Sequence, residues 1–201
     1  MIIREIIPIN TKKSKIVFDD GECFALYKGE IRRLDIEIGR EIGEEEYYTT
    51  IYPTLKKRAF ARLLHILEIS FKSENDIIKK LRLSFYPDEA IKEAIEKAVK
   101  FGYIDDERYA KRYVDTYKDK YSKLKLKYKL MEKGINKEII ENALDEVYID
   151  ESPKIKRLLE KKHYFETDEF EKKQKIIASI MRQGYKYTEI KDIINDISTE
   201  I

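Results

Sequence analysis

The sequence predicts a mainly α protein, built as tandem three-helix repeats (three units) with a small N-terminal β-hairpin element. Charged residues make up 40% of the 201 positions while Gly is 7 and Pro 4, a bias toward helix, because Lys, Glu, Leu, Ile and Arg fill helices and breakers are scarce. From about Thr54, apolar residues recur at three- and four-residue spacing, beginning with Leu55, Ala59, Leu63, Ile66 and Leu67, as one buried helix face requires. The stretch that follows superposes on itself, which points to a repeated unit. An apolar content of 42% supports a buried core rather than disorder.

Residues 1–53 form the N-terminal β-hairpin element and linker. Ile2–Ile9 is rich in β-branched residues, and the short apolar runs Lys15–Phe18 and Cys23–Tyr27 flank Asp19, Asp20, Gly21 and Glu22, a hairpin signal. Gly29–Leu34 reads as a helical turn or two, with Gly39 and Gly43 punctuating a loop. The repeats follow at residues 54–104, 105–150 (the basic one) and 151–201.

Three segments superpose at offsets of 49 to 50 residues without gaps. Phe60 falls on Tyr109 and Leu159, Ile77 on Leu126 and Ile176, Leu81 on Leu130 and Ile180, Ile91 on Ile140 and Ile190, and Ile95 on Leu144 and Ile194. Every column is apolar, so each unit reads as three helices around a shared core. Gly134 and Gly184 share a column at the second turn, where a left-handed backbone fits; Phe85 stands there in the first unit. The alignment also decides the segment KLKLKYKL, residues 123–130. Its alternation alone suggests a half-exposed strand, but the four-residue spacing of Leu126 and Leu130 matches that of Ile77 and Leu81, so a helix is predicted. Ser73 and Ser122 share the column just before this helix and are expected to cap it.

Catalysis needs a nucleophile with a base, a spaced carboxylate pair, or a metal held by His, Cys and carboxylate ligands. The sequence offers none, so no catalytic residue, metal or cofactor is expected, and the protein is not predicted to be an enzyme. His65 and His163 are the only histidines; His163 shares a column with Leu64 and Tyr113, which predicts a half-buried packing position. Cys23 lies in an apolar run and reads as a small buried hydrophobe. No Gly-rich phosphate loop appears. The single Cys cannot form an internal disulfide, MIIREIIPIN is too short and too interrupted by charge for a secretion signal, and no run of about 18 apolar residues could span a bilayer. The expected location is therefore the cytoplasm, with no membrane contact.

Overall charge is balanced at +2, but its distribution is not. Residues 108–137 carry Arg108, Lys111, Arg112, Lys118, Lys120, Lys123, Lys125, Lys127, Lys129, Lys133 and Lys137 against only Asp115, Asp119 and Glu132, whereas residues 30–46 are acidic. The middle unit is thus the candidate for contact with phosphate or an acidic protein surface, against the ordinary reading of a solvated helix face. Arg62, Lys111 and Lys161 share one column, and Arg112 shares the next with Lys162, so the basic positions could form a track. Tyr117 and Tyr121 occupy otherwise polar columns and are predicted to be exposed, where aromatics among cations can stack on bases or anchor a protein interface.

FGYIDDERYA at 101–110, KGI at 133–135 and EIIENAL at 138–144 together resemble the central signature of the RecX family. The hairpin with Asp20–Gly21 and a first unit containing KSENDIIKKL at 72–81 are similar in order to the same family. The resemblance runs from about Lys15 and is strongest between residues 73 and 147. It departs at Lys72, where the family usually has Arg; at Phe85, where a turn Gly is common; and at Ser122, where Gly is typical. Lys72 lacks the bidentate fork of Arg, so a directional carboxylate or phosphate contact there is weakened.

The resemblance implies a non-enzymatic regulator that lies in the groove of the RecA filament on single-stranded DNA, limits its extension or promotes its disassembly, and so suppresses ATP hydrolysis and strand exchange in recombination, DNA repair and the SOS response. The implied partners are the RecA recombinase filament and single-stranded DNA, with double-stranded DNA as a further candidate, and the implied state is a monomer. The expected contact residues are Arg62, Lys72, Arg108, Lys111, Arg112, Tyr117, Lys118, Lys120, Tyr121, Lys123, Lys125, Lys127, Lys161 and Lys162. GYIDD at 102–106 connects the first unit to the second: Gly102 ends one helix, Tyr103 and Ile104 pack across the join, and Asp105 or Asp106 caps the next. The alternatives are a helical DNA-binding protein without a recombinase partner, since three-helix units resemble helix-turn-helix modules, and a helical scaffold for other proteins.

Overall fold

The computed structural model describes residues 1–199. The chain divides into two compact units, Met1–Asp105 and the part from Asp106 onward, and each is described by itself.

The first unit opens with three strands, β1 (Ile3–Pro8), β2 (Lys13–Phe18) and β3 (Cys23–Tyr27), in an antiparallel sheet of order β1-β2-β3. The apolar runs on either side of Gly21 pair as expected, with Ile16 opposite Phe24. The Ile2–Ile9 stretch adds a further strand, Ile6 opposite Ile16, so the element is a three-stranded sheet rather than a hairpin alone. Asn10 makes the β1–β2 turn by accepting the Lys12 and Lys13 N–H groups, both at 2.9 Å. The alternation in β2 buries Ser14, Ile16 and Phe18. These last two join Ile3, Phe24, Leu26, Ile36, Ile42, Ile51 and Leu55 in one core.

Helix α1 (Lys28–Arg33) and the single turn α2 (Glu44–Glu46) lead through a π-helical segment, Tyr47–Ile51, into α3 (Tyr52–Ile69). Helices α4 (Glu74–Leu83) and α5 (Asp88–Lys100) complete the first bundle, whose core holds Ala59, Leu63, Ile66, Ile77, Leu81, Ile91, Ile95 and Ile104. Ser73 caps α4 by accepting the Asp76 N–H at 3.3 Å. Phe85 adopts the left-handed conformation of its repeat-equivalent glycines, with φ +60°. The turn's C-terminal hydrogen bonds run from the Phe85 N–H to Arg82 O at 2.9 Å and from the Tyr86 N–H to Leu81 O at 3.3 Å. The sheet holds this strained residue from two sides: the Ala25 N–H donates to Phe85 O at 3.2 Å, and Lys15 Nζ lies 4.9 Å from the ring centroid. Gly102 ends α5 with φ +69° and the same pair of bonds, its own N–H to Val99 O and that of Tyr103 to Ala98 O, both 2.9 Å. Ile104 is buried in this unit's own core, while Tyr103 is exposed and lies against the Phe101 ring. The Schellman turn directs its side chain outward instead of into the core.

The second unit contains two three-helix repeats, α6 (Asp106–Tyr117), α7 (Lys123–Glu132) and α8 (Lys137–Asp145), then α9 (Ser152–Lys161), α10 (Phe170–Met181) and α11 (Tyr187–Thr199). KLKLKYKL is helical: Leu126 and Leu130 are fully buried, and Ser122 caps the helix by accepting the Lys125 N–H at 3.1 Å. In the last repeat the core contains Ile155, Leu159, Tyr164, Ile177, Ile180, Tyr185 and Ile190, with Ile177 taking the deeper place and Ile176 only packed against it. His163 is not half-buried. Helix α9 ends at Lys161, His163 takes a left-handed conformation (φ +57°), and its exposed ring meets Glu166 at 2.8 Å. The gapless alignment had carried the helix one turn too far.

Two side chains of one short segment lock these two repeats together. Glu151 Oε1 accepts the Lys123 N–H at the start of α7, at 2.5 Å, while Lys154 Nζ donates to Lys118 O at 2.7 Å and Tyr121 O at 3.0 Å beyond the end of α6. A carboxylate thus meets a helix N-terminus and an ammonium meets the carbonyls after a helix C-terminus, each the favoured sign. Burial holds the Glu151 carboxyl above its ordinary range and the Lys154 ammonium below its own. Alongside, Ser122 Oγ donates to Gln183 O at 2.8 Å, in the turn where Gly184 has φ +95°.

Candidate functional site

The second repeat's distinctive chemistry lies along α6 and into α7. Tyrosines four residues apart fall on one helix face, and here Tyr109, Tyr113, Tyr117 and Tyr121 form a continuous run of rings. Their centroids are 6.2, 4.6 and 5.6 Å apart in sequence. Tyr109 anchors the run in the core at 8% exposure. Burial, then the neighbouring Tyr117 and Tyr121 hydroxyls, push the Tyr113 hydroxyl above its ordinary value. Tyr117 and Tyr121 are half-buried, not exposed, because each ring covers the next. At the outer end Lys125 Nζ stands 4.8 Å and Lys120 Nζ 5.4 Å from the Tyr121 centroid, within cation–π range.

The remaining predicted cations divide by position. Lys111 pairs with Glu146 at 2.8 Å, Lys123 with Asp145 at 2.9 Å and Lys127 with Glu141 at 3.1 Å. All three carboxylates come from α8 or its C-cap. Lys118 pairs with Asp115 at 2.6 Å, and that hydrogen bond holds its ammonium above the ordinary value. The basic excess of residues 108–137 is therefore partly neutralised by residues just past that window. Arg108 and Arg112 are exposed on α6. Lys161 lies in the last turn of α9, and Lys162 caps that helix. Arg62, exposed on α3, and Lys72, half-buried ahead of Ser73, belong to the first unit.

A second basic and aromatic cluster in that first unit escaped sequence reasoning. Arg58 lies over the Tyr27 ring at 4.1 Å and pairs with Glu30, leaving Nη1 buried without a hydrogen-bond partner. Lys13 Nζ sits 5.0 Å from the Tyr86 centroid and donates to Ser84 O at 3.3 Å. Its ammonium is held below the ordinary value by burial first, then by Arg58 and Arg62. These residues come from two strands, two helices and a turn, so no linear motif connects them.

Among the described residues no group of three or more His, Cys, Asp or Glu side chains could hold a metal ion. No helix among them is long and apolar enough to cross a membrane. Cys23 is half-buried with a free thiol.

Comparison with known proteins places this geometry. The family described as "RecX, second three-helix domain" matches residues 105–144, the segment that carries the tyrosine run and α7. The regulatory protein RecX of Caldanaerobacter subterraneus subsp. tengcongensis is 31% identical over 199 residues, covering 97% of this chain and 99% of that protein. The regulatory protein RecX of Clostridium acetobutylicum is 32% identical over 184 residues, covering 87% and 80%. Two solved structures share the fold. A regulatory protein RecX superposes with a TM-score of 0.65 at 23% identity over 95% of this chain and 98% of its own. RecX from Lactobacillus salivarius gives 0.63 at 23% identity over 73% and 99%. With a relative of this identity matched along nearly its whole length, the chain belongs to the RecX family of regulatory proteins.

Proposed function

We propose that this protein regulates recombination by binding the RecA nucleoprotein filament and lowering its ATPase and strand-exchange activity, without catalysing a reaction of its own. The observation that supports this reading is the outer end of the tyrosine run, where Lys120 and Lys125 flank the Tyr121 ring. Cations supply attraction to phosphate or to an acidic protein surface, and an aromatic ring supplies a contact of defined orientation. Lys111, Lys118, Lys123 and Lys127 contribute less because carboxylates already hold them. Tandem modules spread contacts over a long surface, so that several weak contacts act together. The setting is the cytoplasm, where the filament forms.

The test is a pulldown from cell extract on the immobilised full chain, with and without nuclease. RecA retained after nuclease supports the reading. RecA lost on nuclease treatment assigns the protein to the alternative, a helical DNA-binding protein that meets RecA only through DNA.

A further inference from the structure

The alternation of KLKLKYKL, misleading as a strand signal, has a consequence on a helix. Residues two apart lie about 200° apart around a helix axis, so alternate apolar residues fall on opposite faces. Leu126 and Leu130 face the core and are fully buried; Leu124 and Tyr128 face outward and are 45% and 57% exposed. Met131 continues the outer stripe at 50% exposure, and Met181 of α10 is 44% exposed. Leu124, Tyr128 and Met181 line one groove of about 270 Å³, bordered by Lys125, Lys129 and Arg182, with Glu132 as its carboxylate. Lys129 and Glu132 pair at 2.7 Å, leaving the border net positive. A helix apolar on both faces is expected where both are covered, and a contiguous exposed apolar patch rimmed by charge marks an interaction surface.

We infer that this groove is a docking site for an acidic amphipathic helix of a protein partner. Leu124, Tyr128 and Met131 follow the spacing of four and three residues that a partner helix matches with its own apolar face. Methionines suit such a surface because their side chains repack around an incoming one. The cationic border selects carboxylates on the partner's flanks. Leu124 and Met181 flank the single ring of Tyr128, so the lining is mainly aliphatic and suits apolar side chains better than a run of bases. The inference goes beyond the filament reading, since the groove's apolar lining lies outside the Tyr121 contact, with only Lys125 bordering both, and its partner is of stated chemistry.

Of the chain's 3 methionines, Met181 lines this groove, so its methyl group reports on it directly. The full chain, labelled with ¹³C-methyl methionine, is titrated with a peptide of about fourteen residues, long enough for several helical turns, with Leu at i, i+3, i+4 and i+7 and Glu elsewhere. The Met181 signal should move saturably while Met1 stays fixed. A scrambled peptide of the same composition should bind about tenfold more weakly, the cost of losing one well-buried side chain. Leu124→Ser combined with Tyr128→Ser should weaken binding by about tenfold or more, and Lys129→Gln combined with Arg182→Gln should weaken it and flatten its salt dependence. All four positions are surface ones, and circular dichroism checks the fold. The inference is overturned by no binding, by binding without movement of Met181, by equal binding of the scrambled peptide, or by movement of this signal with a thymidine oligonucleotide but not the peptide. Loss of RecA retention in the pulldown would leave this result standing, and the reverse also holds.

Discussion

Gly184→Ala should loosen the second unit by roughly 3 kcal/mol, through two costs that add. The backbone there has φ +95°, and a left-handed conformation costs an L-residue about 1–2 kcal/mol. A Cβ would also stand 2.5 Å from Ser122 Oγ, with Leu124 Cβ and Lys125 N each at 3.3 Å. Ser122 cannot step aside freely: it is 1% exposed, its oxygen caps α7 through the Lys125 N–H, and its hydroxyl donates to Gln183 O. Displacing it forfeits an N-cap of about 1 kcal/mol and strands a carbonyl. The assay is hydrogen exchange of α7 and α10 amides in the full chain, where roughly 3 kcal/mol appears as about a hundredfold loss of protection. Ser122→Gly in the same chain removes the collision and should recover about 1 kcal/mol or more relative to the sum of the single changes. Strictly additive effects, or protection in the Gly184→Ala chain unchanged, would refute the argument that this contact locks the two repeats.

Three further outcomes are expected. Lys154→Met removes the donor to Lys118 O and Tyr121 O and should cost about 1–2 kcal/mol in urea unfolding, a modest figure because the ammonium is partly solvated. Alkaline pH should destabilise both units: Tyr47 and Tyr185 are pushed up to about 12, chiefly by burial, with the Tyr48 hydroxyl and Glu89 next for Tyr47 and Glu151 next for Tyr185. A hydroxyl whose folded value is raised leaves stability whole below its unfolded value near 10, and loses it as pH climbs through the folded value. Stability should therefore fall between about pH 10 and 12, and Tyr47→Phe or Tyr185→Phe should flatten that fall in unfolding measured against pH. Finally, Tyr121→Ala with Lys120→Gln and Lys125→Gln should weaken filament binding by about tenfold while circular dichroism stays unchanged, since exposed substitutions cost at most about 0.5 kcal/mol each and the Tyr121 ring is only half-buried.

The parts of the fold legible in the sequence were those that local chemistry or repetition determines. Ser73 and Ser122 cap their helices because a serine hydroxyl just ahead of a helix has an unpaired N–H within reach. The helical reading of residues 123–130 succeeded because the repeat supplied what periodicity alone could not. Phe85 shows that the turn's backbone is common to all three repeats even where its glycine is missing. What the sequence concealed depends on residues far apart in the chain. The charge of residues 108–137 looked uncompensated because Glu141, Asp145 and Glu146 enter the picture only when α8 folds back. The Arg58 cluster needs two strands, a turn and two helices brought together. The clasp by Glu151 and Lys154 reads as ordinary surface charge until two helix ends are placed beside it. Of the tyrosine run, the sequence indicated Tyr117 and Tyr121 as aromatic among cations but not their shielding of one another.

The most direct measurement is the single-stranded-DNA-dependent ATPase of a preformed RecA filament, titrated with the full chain and with its Lys120→Gln, Tyr121→Ala, Lys125→Gln variant. The rate should fall with increasing protein, and the variant should need about tenfold more protein for the same fall. A rate that stays constant while binding to the filament is demonstrated would contradict the inhibitory function. Equal inhibition by the variant would contradict the placement of the contact at Tyr121.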